Sequence, residues 1–211
     1  MARGKFITFE GGEGSGKSTQ VKRLEEFLRG EGYEVLLTRE PGGTRLSELV
    51  RALLKDEHED PPCDRSELLL FLAARAQLVR NVIRPALERG VWVVSDRFSD
   101  STFAYQGYGR GLPLDFLEVA NAFACEGLTP DLTILLDAPI EVARERMRRR
   151  EAATNTSADR IELAGDAFHA RLREGFCFLA QANPERIAVV DASKSPDEVW
   201  GEVCSQLKRL S

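Results

Sequence analysis

Cysteine is sparse in this chain: Cys63, Cys125, Cys177 and Cys204 are spread over 211 residues and form no CxxC pair. That excludes a disulfide scaffold and weakens any zinc or redox-motif reading. Free thiols of a reducing compartment fit better, so a cytoplasmic protein is expected. There are two histidines, His58 and His169, and neither stands at metal-ligand spacing from another donor. They read as ordinary surface or interface residues. No apolar run approaches the roughly 20 residues that cross a bilayer, and no membrane partner is expected. The opening MARGKFITFE is too short and too polar before its first strand to read as a secretory signal. The formal net charge is −5, so the chain lacks the basic excess of a nucleic-acid surface. A polyanionic ligand would have to be held by locally concentrated charge.

What the chain does contain is a set of short apolar runs ending at polar or glycine-rich turns. KFITFE (5–10), YEVLLTRE (33–40), VWVVSDR (91–97), LTILLD (132–137) and RIAVVD (186–191) are nearly continuous rather than alternating. Strands buried on both faces of a parallel sheet read this way. Helical stretches separate them, and the β-α order predicts an α/β fold. The length suits one domain over residues 1–211. The longest helix is predicted from about Ser66 to Arg89, with Asp64 and Glu67 at capping-box spacing. Gly90 should stop it, and Pro85 should disturb its last turn.

GGEGSGKST (11–19) carries the strongest chemical signal. Gly11, Gly16, Lys17 and Ser18 spell GxxxxGK[ST] between a predicted strand and a predicted helix. Across Gly11, Gly12, Glu13, Gly14, Ser15, Gly16, Lys17, Ser18 and Thr19, backbone N–H groups can converge on phosphate oxygens where side chains are absent. The helix N-terminus adds its dipole. Lys17 supplies a charge for the β- and γ-phosphates, and the Ser18 hydroxyl can ligate Mg²⁺. This pattern predicts ATP binding. No DxxG and no NKxD occurs anywhere in the chain, which argues against a GTPase, and the third glycine of GxGxxG is missing.

Two other strand ends matter. TREPGGT (38–44) places Arg39 and Glu40 beyond the second strand, and SDRFSDSTFAYQGYGR (95–110) places Asp96 and Arg97 beyond the third. Ligands of open α/β sheets sit beyond the carboxyl ends of strands. Two arginines gathered beside a phosphate loop predict a second anionic substrate.

FEGGEGSGKST, TREPGGT, FLAAR (71–75), DRFSDSTFAYQG and DRIE (159–162), in that order, resemble the bacterial thymidylate kinases. The resemblance implies the P-loop NTPase, nucleoside monophosphate kinase-like fold: a five-stranded parallel sheet flanked by helices, with a mobile lid. It implies transfer of the ATP γ-phosphoryl group to thymidine monophosphate (dTMP), with Mg²⁺, by a homodimer. By the same resemblance Arg39 and Arg97 would hold the acceptor phosphate, Phe71 would stack on thymine, and Arg75 would donate to a base carbonyl. Thr102 and Gln106 would contact the base region, Tyr105 would lie under the sugar, and Glu13 would meet the 3′-hydroxyl. Asp96 would orient the Mg²⁺ shell, and Glu162 would organise the lid or the metal.

Some members of that family carry an arginine inside the phosphate loop, and the matching slot here is Gly14. The stretch 144–160 instead holds Arg144, Arg146, Arg148, Arg149, Arg150 and Arg160, followed from Glu151 by small polar residues. It reads as a lid that brings Arg148, Arg149, Arg150 or Arg160 to the transferring group on closure. On that reading an arginine placed at Gly14 should replace part of the lid's contribution. Two other functions compete. A deoxynucleoside kinase would need a carboxylate base, for which Glu40 is the candidate, but would leave Arg39 and Arg97 without a phosphate. A non-catalytic ATP sensor would have no need of Lys17, Asp96 and the lid arginines together.

Lys17 tests the phosphate-loop assignment. Its interaction should strengthen as the phosphoryl group transfers, so Lys17→Ala should lower turnover by about two orders of magnitude or more while dTMP affinity changes little. Single-turnover rates and equilibrium dTMP titration measure the two separately.

Overall fold

The computed structural model describes residues 3–55, 60–154 and 165–210. Five strands, β1 (Phe6–Glu10), β2 (Val35–Arg39), β3 (Trp92–Asp96), β4 (Leu132–Asp137) and β5 (Ile187–Asp191), form one sheet in the order β2-β3-β1-β4-β5. All four pairings are parallel. The helices are α1 (Lys17–Gly30), α2 (Arg45–Lys55), α3 (Asp64–Leu78), α4 (Arg84–Glu88), α5 (Ser99–Thr102), α6 (Leu114–Ala124), α7 (Ile140–Thr154), α8 (Asp166–Ala182) and α9 (Pro196–Leu207).

The central strand β1 is buried along its whole length, as expected for a strand covered on both faces. Its alternation divides the core. Ile7 and Phe9 pack with Leu24 and Leu28 of α1 and with Val199 and Val203 of α9. Phe6 points the other way, into a cluster with Leu78, Ile83 and Phe98. Thr8 and Glu10 share the face of Phe6, and the Thr8 hydroxyl lies 2.8 Å from that of Thr133 on β4. Glu10 therefore ends β1 pointing toward the segment that follows β3. The expectation of uniform burial fails at the two edges. Leu37 on β2 and Val189 on β5 are exposed, because an edge strand has a neighbour on one side only.

The predicted helix from Ser66 to Arg89 is instead three pieces. α3 begins at Asp64, a π-helical turn spans Val79–Ile83, and α4 follows. Pro85 has no N–H and its ring crowds the carbonyl four residues back, and a widened turn just before it accommodates both. Gly90, with φ +85°, follows the end of α4 as expected. The capping box does not form. Cys63 is the N-cap, without a side-chain bond, and Glu67 is turned inward.

Register sets the site. Asp96 of β3 lies opposite both Phe9 of β1 and Arg39 of β2, so three strand ends open side by side. A second π-helical stretch, Phe103–Gly109, leaves α5 and packs against α8. The contact is close enough to need a glycine: a Cβ at Gly175 would lie 2.6 Å from the Tyr108 ring. Alanine is better than glycine inside a helix by about 1 kcal/mol, but overpacking costs about 1–3 kcal/mol. The clash should win. Gly175→Ala is expected to lower the melting temperature, and raises KM for the acceptor as well if Tyr105 and Gln106 of that stretch bind it; calorimetry and steady-state kinetics check it.

Candidate active site

The loop after β1 wraps the start of α1. Gly16 adopts φ +90° as the helix N-cap, a conformation that costs glycine little. Lys17 is buried and donates to the carbonyls of Gly11 and Gly12 at 3.1 and 2.8 Å and to the Ser15 hydroxyl at 3.4 Å. Burial and the nearby Arg97 lower its ammonium pKa, opposed by Glu13, Asp96 and Glu10. The Ser18 hydroxyl donates to Asp96 at 3.4 Å. The strand-end carboxylate and the loop hydroxyl thus share one corner of the site.

Arg97 sits at the turn after β3 with φ +73°. That left-handed backbone is uncommon for a residue with a side chain. It is held by a bond from its N–H to Phe9 and by the Ser95 hydroxyl, which donates to its carbonyl at 2.7 Å. The guanidinium then reaches Glu13 at 2.6 Å and the Gly11 carbonyl at 3.0 Å, and lies over the Tyr105 ring. Tyr105 also donates to Glu13, at 3.1 Å. Burial alone would raise the Glu13 pKa; Arg97, Lys17 and the Tyr105 hydroxyl overcome it and hold the carboxyl well below the usual range. The acid of the loop therefore points toward the strand-end Arg97.

Beneath the turn, Glu10 accepts from the backbone N–H groups of Phe98 and Ser101 at 2.8 and 3.2 Å and from the Ser101 hydroxyl at 2.6 Å. Burial and the neighbouring Asp100 push its pKa up to about 7, against Arg97, the Ser101 hydroxyl and the Phe98 N–H.

Arg75 is only 2% exposed. Its Nε and Nη2 bond Glu40 at 2.8 and 2.5 Å, Nη2 also bonds the Phe98 carbonyl at 3.0 Å, and Nη1 bonds Thr102 and Asn121 at 2.7 Å each. All five N–H groups are thereby engaged. Its expected bond to a base carbonyl would have to share one of them. The Thr102 oxygen accepts from Arg75, so its own hydroxyl proton remains to be donated. Phe71, one turn before Arg75, is half-buried and lines the same cavity.

That cavity, about 540 Å³, joins the phosphate loop to the strand ends. Nine cationic side chains line it against three acids, Glu13, Glu40 and Asp96. This is how a chain of net charge −5 supplies a site for phosphates. Lys17, Arg39, Arg75 and Arg97 were expected there from the sequence. Arg51 and Lys55 of α2, Arg146 of α7 and Lys194 were not singled out for it. Their signal was spacing alone: Arg51 and Lys55 are one turn apart on an amphipathic helix. Arg39 lines the cavity at its rim and pairs with Glu48 at 3.1 Å.

The arginine run divides. Arg146 and Arg150 of α7 face the cavity, with Met147 between them. Arg146 also donates to the carbonyls of Ala192 and Lys194 at 2.7 and 3.1 Å. Arg148 and Arg149 are exposed, pair with Glu145 at 3.5 and 2.7 Å, and are not brought to the cavity. Arg160 and Glu162 lie outside the described residues, as does His58. The expected arginine substitution at Gly14 is overturned by geometry. Gly14 has φ +71°, and a Cβ there would lie 2.3 Å from the Ala143 carbonyl of α7.

A parallel sheet ordered 2-3-1-4-5 with a phosphate loop after its central strand, and with a second cluster of arginines at adjoining strand ends, defines a P-loop phosphotransferase. A family model described as Thymidylate kinase matches residues 9–203. A thymidylate kinase of Nitratidesulfovibrio vulgaris (strain Miyazaki F) is 50% identical over 207 residues, covering 97% of this chain and 96% of that protein. One from Desulfovibrio desulfuricans is 50% identical, covering 92% and 90%. Among solved structures, the thymidylate kinase of Ehrlichia chaffeensis superposes with a TM-score of 0.76 at 36% identity, covering 97% of this chain and 99% of that one. The chain belongs to the thymidylate kinase family.

The division of the arginine run has a kinetic signature. Replacing Arg148, Arg149 and Arg150 together by alanine should lower turnover by roughly 10³-fold if the run supplies an arginine-finger contact. On the geometry, Arg150→Ala alone should carry most of that loss, and the Arg148→Ala, Arg149→Ala pair should stay within about threefold of wild type. Single-turnover measurement of the three variants separates the residues.

Proposed function

We propose that this chain transfers the γ-phosphoryl group of ATP to dTMP, giving ADP and thymidine diphosphate. The observation that carries it is one cavity lined both by the phosphate loop and by the strand-end residues Arg39 and Arg97, with Phe71 among its walls. The acceptor is itself a phosphate. Its second pKa is about 6, so near pH 7 it is largely a dianion and needs no general base. The chain's task is then to position two phosphates in line and offset the charge between them. Lys17, Arg97 and Arg150 carry that charge, with Arg160 from the stretch 155–164 as a further candidate. Glu13 reaches the acceptor side of the loop, where it would meet the sugar hydroxyl over Tyr105. Thr102 and Gln106 face the base.

Mg²⁺ fits the donor set. Ser18 and Asp96 offer a hydroxyl and a carboxylate side by side, the hard oxygen ligands that this ion takes. Ser18 would hold the ion and Asp96 would orient its water shell; when bound it offsets charge on the phosphate oxygens. Beyond the loop, Arg146, Met147, Lys194 and Pro196 line the far end of the cavity and suit the adenine of ATP.

We also infer one domain, since the sheet takes strands from both ends of the chain. No described helix is long and apolar enough to cross a membrane, and a cytoplasmic enzyme is the reading we adopt. A homodimer would cover the exposed apolar residues of three neighbouring helices: Leu49 on α2, Leu69 on α3, and Phe116, Val119 and Phe123 on α6. Phe123 is 86% exposed, more than an isolated chain should leave bare.

The competing kinase of nucleosides needs a carboxylate base. Glu40 is the counter-ion of buried Arg75, and taking a proton would leave that cation uncompensated. ADP release with dTMP should therefore exceed that with thymidine by at least about a hundredfold in kcat/KM, because thymidine brings no phosphate to draw Arg39 from Glu48 and Arg97 from Glu13. Equal rates would overturn the assignment.

A further inference from the structure

Glu67 is 1% exposed on α3, one turn before Phe71 and two before Arg75. Its Oε1 accepts from Gln106 Nε2 at 3.0 Å and from Arg110 Nε at 3.3 Å, and its Oε2 accepts from Arg110 Nη2 at 3.2 Å. Gln106 is itself 2% exposed and lines the cavity beside Phe71 and Thr102, whereas Glu67 does not line it. We infer that Glu67 is a positioning residue. It locks the Gln106 amide with its carbonyl oxygen toward the cavity, and so selects a pyrimidine that carries N3–H over one that carries a bare N3.

The argument is one of donor and acceptor inventory. A side-chain amide has one donor end and one acceptor end, and rotation by 180° about its last bond exchanges them. A carboxylate only accepts, so the Gln106 NH₂ must face Glu67. Arg110 reinforces this by donating to both Glu67 oxygens while lying over the Phe168 ring, which holds the carboxylate in place. Gln106 Oε1 is then the amide atom left for a ligand. Arg75 bears on Thr102 as well, whose hydroxyl accepts from Arg75 and so keeps its one proton to donate. One acceptor beside one donor matches the N3–H and O4 of thymine or uracil. Cytosine offers the reverse, a bare N3 and a 4-amino group, and would leave buried polar groups facing like partners. Neither Gln106 nor Thr102 would have a fixed polarity without its charged neighbour.

The inference rests on the dTMP kinase reading, and the experiment keeps the two apart. Wild type and Glu67→Gln are compared for kcat and KM with dTMP and with deoxycytidine monophosphate. An amide at position 67 can donate as well as accept, which frees Gln106 to turn over. The expected result is a fall of about tenfold or more in the preference for dTMP. The loss should lie mainly in the KM for dTMP, with an absolute rise in kcat/KM for the cytosine substrate. Structural damage would lower both. Parallel loss with an unchanged ratio overturns the role of Glu67. Should Glu67→Gln fail to fold, Glu67→Asp keeps the charge but withdraws it by one methylene. It should lose preference in the same direction but less, and an unchanged ratio in that folded variant overturns the inference equally. A wild type inactive on dTMP would refute the kinase reading itself and not the orientation of Gln106.

Discussion

The buried pair of Arg75 and Glu40 is the constraint on which one wall of the cavity depends. Two charges taken out of water cost several kcal/mol each unless fully bonded. Arg75 meets that demand with five N–H groups directed to four partners. Those partners come from the end of β2, the turn after β3, α5 and α6. One guanidinium thus fixes four chain segments around a single point. Removing one member of such a pair leaves the other charged and buried, at a cost of about 3–5 kcal/mol. Arg75 therefore cannot be regarded as a recognition residue alone. Its larger task is to hold the wall against which a base would lie and to set the direction of the Thr102 hydroxyl.

A second carboxylate does similar work one layer closer to the phosphates. Glu10 ties down the backbone of Phe98 and Ser101, and the turn it secures carries Arg97 in a left-handed conformation. Glu13 then holds the Arg97 fork through a single oxygen. The acid in the phosphate loop, which looks misplaced in a site for anions, is thus the counter-ion of the arginine at the end of β3. Glu67 and Gln106 repeat the pattern at the base. In each case a carboxyl group behind the surface holds the residue that lines it.

Positive charge enters the cavity from several elements, and at Gly14 the loop itself has no room for a side chain. Gly14 meets the first turn of α7 at its backbone, so the apex of the loop is also the seat of the arginine-bearing helix. α7 in turn presents only part of its charge to the cavity. Helical periodicity separates Arg146 and Arg150, four residues apart, from Arg148 and Arg149, which pair with Glu145 on the solvent side.

The α/β class, the five strands, the phosphate loop and the strand-end arginines were legible in the amino-acid sequence. These are local properties: apolar runs that suit a sheet covered on both faces, and a glycine pattern whose backbone geometry leaves few alternatives. Its family resemblance also placed Phe71, Arg75, Thr102, Tyr105 and Gln106 together, and the structure brings all five to one cavity. What it could not determine is which way side chains turn once elements pack. Glu67 has the spacing of a capping residue, yet it is turned inward because buried Gln106 and Arg110 await it from another segment. Arg75 read as a free donor, yet its donors are engaged by residues 23 to 46 positions away in the chain. Gly14 read as an open slot, yet α7 fills it. Only the tertiary structure decided these, because a buried polar group must be satisfied by whatever partners the fold brings within about 3 Å, and sequence spacing does not encode that meeting.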